Sequence, residues 1–280
     1  MTQKPIVQLK GVSYFYTSSK TKALDNIDLD LYPGEKIAIL GANGAGKSTL
    51  FRHLNGILKP ASGEVLVKGE PISKKNIRTV RQTVGIVFQN PDDQILAPTI
   101  EQDVAFGPIN MGLDEEEVER RVKKALELVN LSGFEERSPH HLSGGQKKLV
   151  AIAGVIAMQP EVVVLDEPTA GLDPLSAENI MKIVDGMNRK FGITVVLSTH
   201  DVDIVPLFAD VVYVMHHGRI EARGTAKEIF KKHQLLENAH LRMPRIAEVF
   251  ELLQESGFDT DIKITPPDAK DEIVRLINEK

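Results

Sequence analysis

Residues 37–49 read Ile37-Ala38-Ile39-Leu40-Gly41-Ala42-Asn43-Gly44-Ala45-Gly46-Lys47-Ser48-Thr49. A short apolar run, set off upstream by the turn Pro33-Gly34, enters a glycine-rich loop and then, from Lys47, a helix. That is the strand, loop and helix order of a phosphate-binding loop. Gly41, Gly44 and Gly46 let the backbone turn tightly and aim its N–H groups inward, where they and the helix N-terminus hold anionic phosphates. Lys47 brings a point charge to the β and γ phosphates, and Ser48 offers a hydroxyl to Mg²⁺. The reading assigns Gly41 to Thr49 to a nucleoside triphosphate and commits the surrounding chain to an α/β sheet.

Working outward, Leu24 to Leu31 alternates at Ile27, Leu29 and Leu31, and Ile6 to Leu9 and Val12 to Tyr16 carry β signals, which predicts an N-terminal antiparallel layer. Downstream, Asp114 to Val129 places Val118, Val122, Ala125, Leu126 and Val129 at helical spacing, and Gly144 to Met158 reads as a second helix. From Glu161 short apolar strands alternate with helices: Val162 to Leu165, Ala177 to Arg189, Thr194 to Leu197, Val202 to Phe208, then Val211 to Met215. This pattern predicts a parallel sheet covered on both faces. After Gly224 the chain becomes a charged helical tail with breaks at Met243-Pro244 and Thr265-Pro266-Pro267, so a boundary is expected near residue 225. Ile246, Val249, Phe250 and Leu253 share one helical face there, the pattern of a packing surface.

Val162 to Leu165 end in Asp166-Glu167, so a buried strand delivers two carboxylates to its C-terminal edge, where α/β sheets bind ligands. The first suits the Mg²⁺ shell; the second can orient a water in line with the γ phosphate and accept its proton. Leu142-Ser143-Gly144-Gly145-Gln146 is a second phosphate-binding element, because Ser143 to Gly145 precede a helix. A chain with one of each does not close a site by itself.

Composition narrows the function classes. The 280 residues carry a formal charge of −5 and a pI of about 5.9, so no global basic surface recommends nucleic acid or an anionic membrane. Without cysteine there is neither a disulfide framework nor a thiolate metal site. Met1 to Lys10 lacks the apolar core of a signal peptide, so the chain is expected in the cytoplasm. Runs such as Ile37 to Leu40 fall far short of the roughly 20 apolar residues that cross a bilayer. A membrane role has to go through a partner.

The phosphate loop, Gln89, Leu142 to Gln146, Asp166-Glu167, Asp173 and His200, in that order, resemble the nucleotide-binding domain of ATP-binding cassette (ABC) transporters over residues 6 to about 225. The resemblance implies a P-loop NTPase fold of class α/β: a mixed or parallel core sheet, an N-terminal antiparallel β layer, a helical subdomain at about residues 90–160, and a helical extension over residues 226–280. It implies an ATPase that uses ATP and Mg²⁺. Carried over residue by residue, Tyr16 stacks on adenine; Gln89 completes the Mg²⁺ shell with Ser48 and Asp166 and reports the γ phosphate to the membrane partner; Glu167 and His200 are catalytic. Ser143, Gly144, Gly145 and Gln146 serve the ATP of the opposite subunit, and Asp173 couples the two sites. ATP is then the glue of a closed dimer, homomeric or heteromeric, that hydrolysis releases.

Gln89 to Gln94, Ala97-Pro98-Thr99, Asp103 to Pro108, Gly144 to Lys148 and Val150 to Gly154 look like the ATPases of energy-coupling factor importers. Such an ATPase is implied to sit peripherally on the cytoplasmic face of the cell membrane, beneath a transmembrane coupling protein and a substrate-binding membrane subunit. Leu241 to Ile246 resembles the tail of the cobalt and nickel branch; a vitamin importer is the alternative, and a soluble cassette clamp is a rival of another class. That rival carries a long coiled coil or two cassettes in one chain, and this sequence has neither. Leu149 departs from the arginine that many relatives place after the signature. The pairs His140-His141 and His216-His217 are adjacent residues without ligand spacing, which argues against a metal site.

Overall fold

The computed structural model describes residues 4–17 and 21–278. The chain opens with β1 (Val7–Phe15), β2 (Lys22–Leu31) and β3 (Lys36–Leu40), then α1 (Lys47–Leu54), β4 (Ser62–Val67), β5 (Glu70–Pro71), α2 (Ile77–Thr83) and β6 (Val84–Val87). α3 (Ile100–Met111), α4 (Glu115–Leu128) and α5 (Gly144–Ala157) follow, each started by a polar cap: Thr99, Asp114 and Ser143 accept from backbone N–H groups of the first turn. β7 (Val162–Leu165), α6 (Pro174–Phe191), β8 (Thr194–Thr199), α7 (Val205–Phe208), β9 (Val211–His216) and β10 (Arg219–Gly224) complete the α/β part, and α8 (Ala226–Phe230), α9 (His233–Asn238), α10 (Arg245–Glu255) and α11 (Pro266–Asn278) form the tail.

Two sheets result. The first is antiparallel in the order β2-β1-β4-β5, and the second has six strands in the order β10-β9-β3-β8-β7-β6. β9, β3, β8, β7 and β6 run parallel and β10 returns antiparallel, so the core sheet is mixed. The period-two alternation of the strands decides the layering. Ile37, Ile39, Val162, Val164 and Val196 face the antiparallel layer together with Leu50 and Phe51 of α1. Ala38, Leu40, Val163, Leu165, Val195 and Leu197 face the helices. Because β3 lies between β9 and β8, the loop after Leu40 emerges at the middle of the sheet's C-terminal edge, next to the ends of β7 and β8.

Several elements differ from the sequence reading. The two N-terminal β signals are one strand, β1, interrupted by a register shift between Leu9 and Val12 where Gly11 takes φ 57°. The helix expected over Val202 to Phe208 shrinks to α7, beginning only at Val205. In α10 the buried residues are Ala247 and Phe250, while Val249 is 47% exposed and leaves the predicted packing face. The first half of the tail is built into the main core: Phe230, Leu236, Leu241 and Met243 share the helix-side cluster with Val212 and Val214 of β9.

Candidate nucleotide site

The phosphate loop sits where the sheet requires it. Gly44 and Gly46 take φ 82° and 104°, values that disfavour any Cβ, and a Cβ on Gly41 would stand 2.6 Å from the Met215 carbonyl oxygen. The loop is fastened from below by Gly218 N–H donating to the Ala45 carbonyl at 3.0 Å. The Lys47 side chain is 6% exposed; its ammonium donates to the Gly41 carbonyl at 2.7 Å and pairs with Glu167 Oε1 at 3.2 Å. Ser48 is half-buried at the start of α1, and Thr49 Oγ1 lies 3.0 Å from the Tyr16 hydroxyl at the end of β1. Tyr16 is thereby tied to the phosphate loop, with part of its ring open to solvent. Ala42 is half-buried, and Asn43 and Gly44 form the exposed crest of the loop.

Asp166 and Glu167 leave β7 buried at the same edge, each 6% exposed. Glu167 takes φ 44°, a left-handed conformation uncommon for a residue with a side chain. Its carboxylate is gripped on both sides, by Lys47 at Oε1 and by His200 Nδ1 3.1 Å from Oε2. His200 follows β8, whose register with β7 places it beside the carboxylates. Gln89 is exposed two residues past β6, whose Val87 pairs with Leu165, so it stands on the other side of Asp166 from Ser198. Ser48, Asp166, Glu167, Gln89 and His200 therefore gather at one edge.

The turn read from the sequence as a second phosphate-binding element starts α5. Ser143 caps α5 in a reciprocal box with Gln146: Ser143 N–H donates to Gln146 Oε1 at 3.0 Å and Gln146 N–H to Ser143 Oγ at 3.3 Å. Ser143 and Gly144 are exposed, and among the described residues no hydrogen bond or ion pair joins Ser143 to Gln146 with the phosphate loop of the same chain. Asp173 is exposed as well and caps α6, accepting from Ser176 N–H at 3.0 Å and Ser176 Oγ at 2.6 Å; these donors hold its carboxyl below the usual aspartate value.

The family model for ABC transporters matches residues 24–170. The chain belongs to the ABC transporter family. The energy-coupling factor transporter ATP-binding protein EcfA of Methanocaldococcus jannaschii is 54% identical over 278 residues, 98% of this chain and 99% of the relative. The solved structure of CbiO1 from Clostridium perfringens, part of the ABC transporter complex CbiONQ, is 45% identical and superposes with a TM-score of 0.75 over 89% of this chain and 100% of that one. The dimeric post-hydrolysis structure of the cassette MJ0796, bound to ADP and phosphate, is 30% identical with a TM-score of 0.71 over 79% of this chain and 98% of that one. The protein is thus an ABC ATPase of α/β fold that binds ATP with Mg²⁺ and hydrolyses it.

The side chains of this ABC ATPase suit that cargo. Gly41 and Gly46 let the loop lie against the Met215 and Ala23 carbonyls, and the hydroxyl of Ser48, the carboxylate of Asp166 and the amide oxygen of Gln89 would give an all-oxygen donor set of the kind Mg²⁺ takes. When bound, Mg²⁺ supplies neutralising charge between the phosphates. Lys47 stands between the Gly41 and Ala42 carbonyls and the Glu167 carboxylate, so a phosphate in the loop would compete with Glu167 for its ammonium. His200 Nδ1 lies against the other oxygen of that carboxylate.

Two residues of this ABC ATPase escape the sequence reading. Ser198 Oγ accepts from Glu167 N–H at 2.9 Å and donates to Asp166 Oδ1 at 2.7 Å, joining the two carboxylate residues to β8. Lys148 is 4% exposed, and its Nζ donates to the carbonyls of Glu167 at 2.9 Å and Ala170 at 3.2 Å. Burial pushes this ammonium below the usual lysine value, against the opposing pull of Glu167 and Asp166. A lysine on an otherwise apolar helix face is the signal that was available. Leu149, where an arginine was expected by resemblance, lies in the helix-side core at 8% exposure. The ring centroids of His216 and His217 come within 3.9 Å, with His240 5.8 Å from His216.

Proposed function

We propose that the protein is the ATPase subunit of an energy-coupling factor importer, held peripherally on the cytoplasmic face of the cell membrane, and that it drives uptake of cobalt or nickel ions through a transmembrane partner. The observation that carries the membrane role is an apolar groove of about 580 Å³ between β6 and α5, lined by Ile57, Ile86, Leu96, Phe106 and Val155. Leu96 and Phe106 are 79% and 62% exposed there, and the adjoining Ile109 is 60% exposed. Gln94, which lines the groove in the segment that resembles energy-coupling ATPases, accepts from Phe88 N–H at 3.0 Å, so a coupling protein seated there would act one residue from Gln89. No helix among the described residues is long and apolar enough to cross a membrane, so the transmembrane path belongs to other chains.

Within this reading Glu167 is the base, His200 its orienting partner, and Ser48, Asp166 and Gln89 the Mg²⁺ ligands, while Tyr16 stacks on adenine. Ser143 to Gln146 bind the γ phosphate held by the Lys47 and Ser48 of a second copy or close relative, and Asp173 links the two sites. The tail motif Leu241 to Ile246 favours the metal branch, and the full-length similarity to CbiO1 and EcfA favours the importer class. Co-purification from native membranes followed by radiolabelled cobalt and nickel uptake in reconstituted vesicles tests it. ATP-dependent metal uptake is expected; uptake of a vitamin in place of metal would move the chain to the other branch, and absence of any integral membrane partner would sink the importer role.

A further inference from the structure

α5 carries a buried cation where its pattern calls for an apolar residue. Lys148 precedes Leu149, Val150, Ala151 and Ile152, all in the helix-side core, and is as covered as they are. A buried ammonium needs partners that replace water. Its partners are two main-chain carbonyls, those of Glu167 and Ala170, at the ends of the turn that carries Glu167 out of β7. Glu167 is held in the left-handed region within that turn, a conformation that persists only where neighbours over-determine it. The neighbours are Ser198 on its N–H, and Lys148 with Ala170 N–H on its carbonyl. Fixing both peptide groups fixes the direction of the Glu167 side chain toward Lys47 and His200.

The same first turn of α5 makes other contacts. Ser143 and Gln146 make the capping box, Lys147 pairs with Asp92 at 2.6 Å in the segment after Gln89, and a Cβ on Gly145 would lie 3.3 Å from Ser176 Oγ, which Asp173 anchors. We propose that Lys148 is a positioning residue that ties the Glu167 turn to the signature turn of the same chain, so that engaging a partner's nucleotide at Ser143 to Gln146 sets this chain's own water-activating carboxylate. The inference rests on the roles given above to Glu167 and the signature residues.

The full-length protein tests it through Lys148→Met, which keeps the stem and removes the donors, and Lys148→Arg, which restores donors. Lys148→Met should lower kcat by ~10- to 100-fold, the usual effect of misplacing a reacting group. Affinity for a fluorescent ATP analogue should change less than about twofold, and Lys148→Arg should recover part of the rate. In single turnovers, adding Lys148→Met to Glu167→Gln should cost no further rate, because both act through one carboxylate. That double variant should still dimerise with ATP. A kcat near wild type for Lys148→Met, losses that multiply in the double variant, or loss of ATP-driven dimerisation would each overturn the positioning role. Should Lys148→Met be insoluble, Lys148→Leu, which also removes the donors, is read in the same way. Full activity of Glu167→Gln alone would instead remove the base assignment on which the inference stands.

Discussion

At the residue scale the decisive contact is the buried pair of Lys47 and Glu167, 3.2 Å apart. Under the roles proposed for Lys47 and Glu167, the ammonium assigned to phosphate would hold the carboxylate assigned as base until phosphate arrives. Glu167→Gln should reduce turnover by ~10²–10⁴-fold, the weight of a general base. ATP affinity should hold or tighten, since one negative charge leaves the phosphate site; steady-state hydrolysis and equilibrium nucleotide titration read the two separately. Lys47→Ala leaves Glu167 buried without its cation, and urea denaturation should show a loss of the order of 3 kcal/mol. Ser198→Ala removes the acceptor for Glu167 N–H and the donor to Asp166, with an expected destabilisation of about 1–3 kcal/mol by the same measurement and a lower kcat. The phosphate loop and Asp166-Glu167 were legible in the sequence because their chemistry is local: spacing alone puts donors and acids together. Ser198 and Lys148 were not, because each acts on a partner 19 to 32 residues away.

At the element scale, strands buried on both faces were readable from composition, and β2 from its alternation, whereas β4 and β10 were not. β3, β7, β8 and β9 are each built around a continuous hydrophobic run, Ile37 to Leu40, Val162 to Leu165, Val195 to Leu197 and Val211 to Met215, as a sheet covered on two faces demands. β4 begins with three exposed residues and β10 alternates exposed with half-buried ones, so neither carries a strong pattern. α5 was readable from Gly144 onward because its cap is itself a motif, whereas α7 was overextended because Val202, buried in the turn before it, mimics helical spacing. The tail offers a test at this scale. Glu272 of α11 accepts from Thr260 Oγ1 at 2.7 Å and from Arg275 at 2.6 Å, and these donors lower its carboxyl to about 2. A depressed carboxylate stabilises the folded state in full above its unfolded value near 4.5 and loses that contribution as pH falls through about 2. Limited proteolysis should therefore release α11 increasingly as pH drops across that window, and Glu272→Gln should flatten the dependence. An unchanged acid profile in the variant would exclude this anchor.

At the scale of the whole molecule, the two phosphate-binding elements explain each other only across two copies. Lys47 and its carboxylates are buried at the phosphate loop, whereas Ser143 and Asp173, proposed to bind and couple a second copy's nucleotide, are the exposed caps of α5 and α6. A chain with net charge −5 has no general electrostatic attraction to its copy, so under the proposed split site the contacts to ATP would supply it. ATP should then control association, and blocking hydrolysis should trap the associated state. In size-exclusion chromatography with light scattering, Glu167→Gln should run as a monomer without nucleotide and as a dimer with saturating ATP and Mg²⁺. Adding Ser143→Arg, which puts a long side chain on the exposed cap, should return it to monomer while leaving single-chain ATP binding intact. A Glu167→Gln protein that stays monomeric at high concentration with ATP would contradict a site divided between chains, and the exposed signature turn would then need a different ligand.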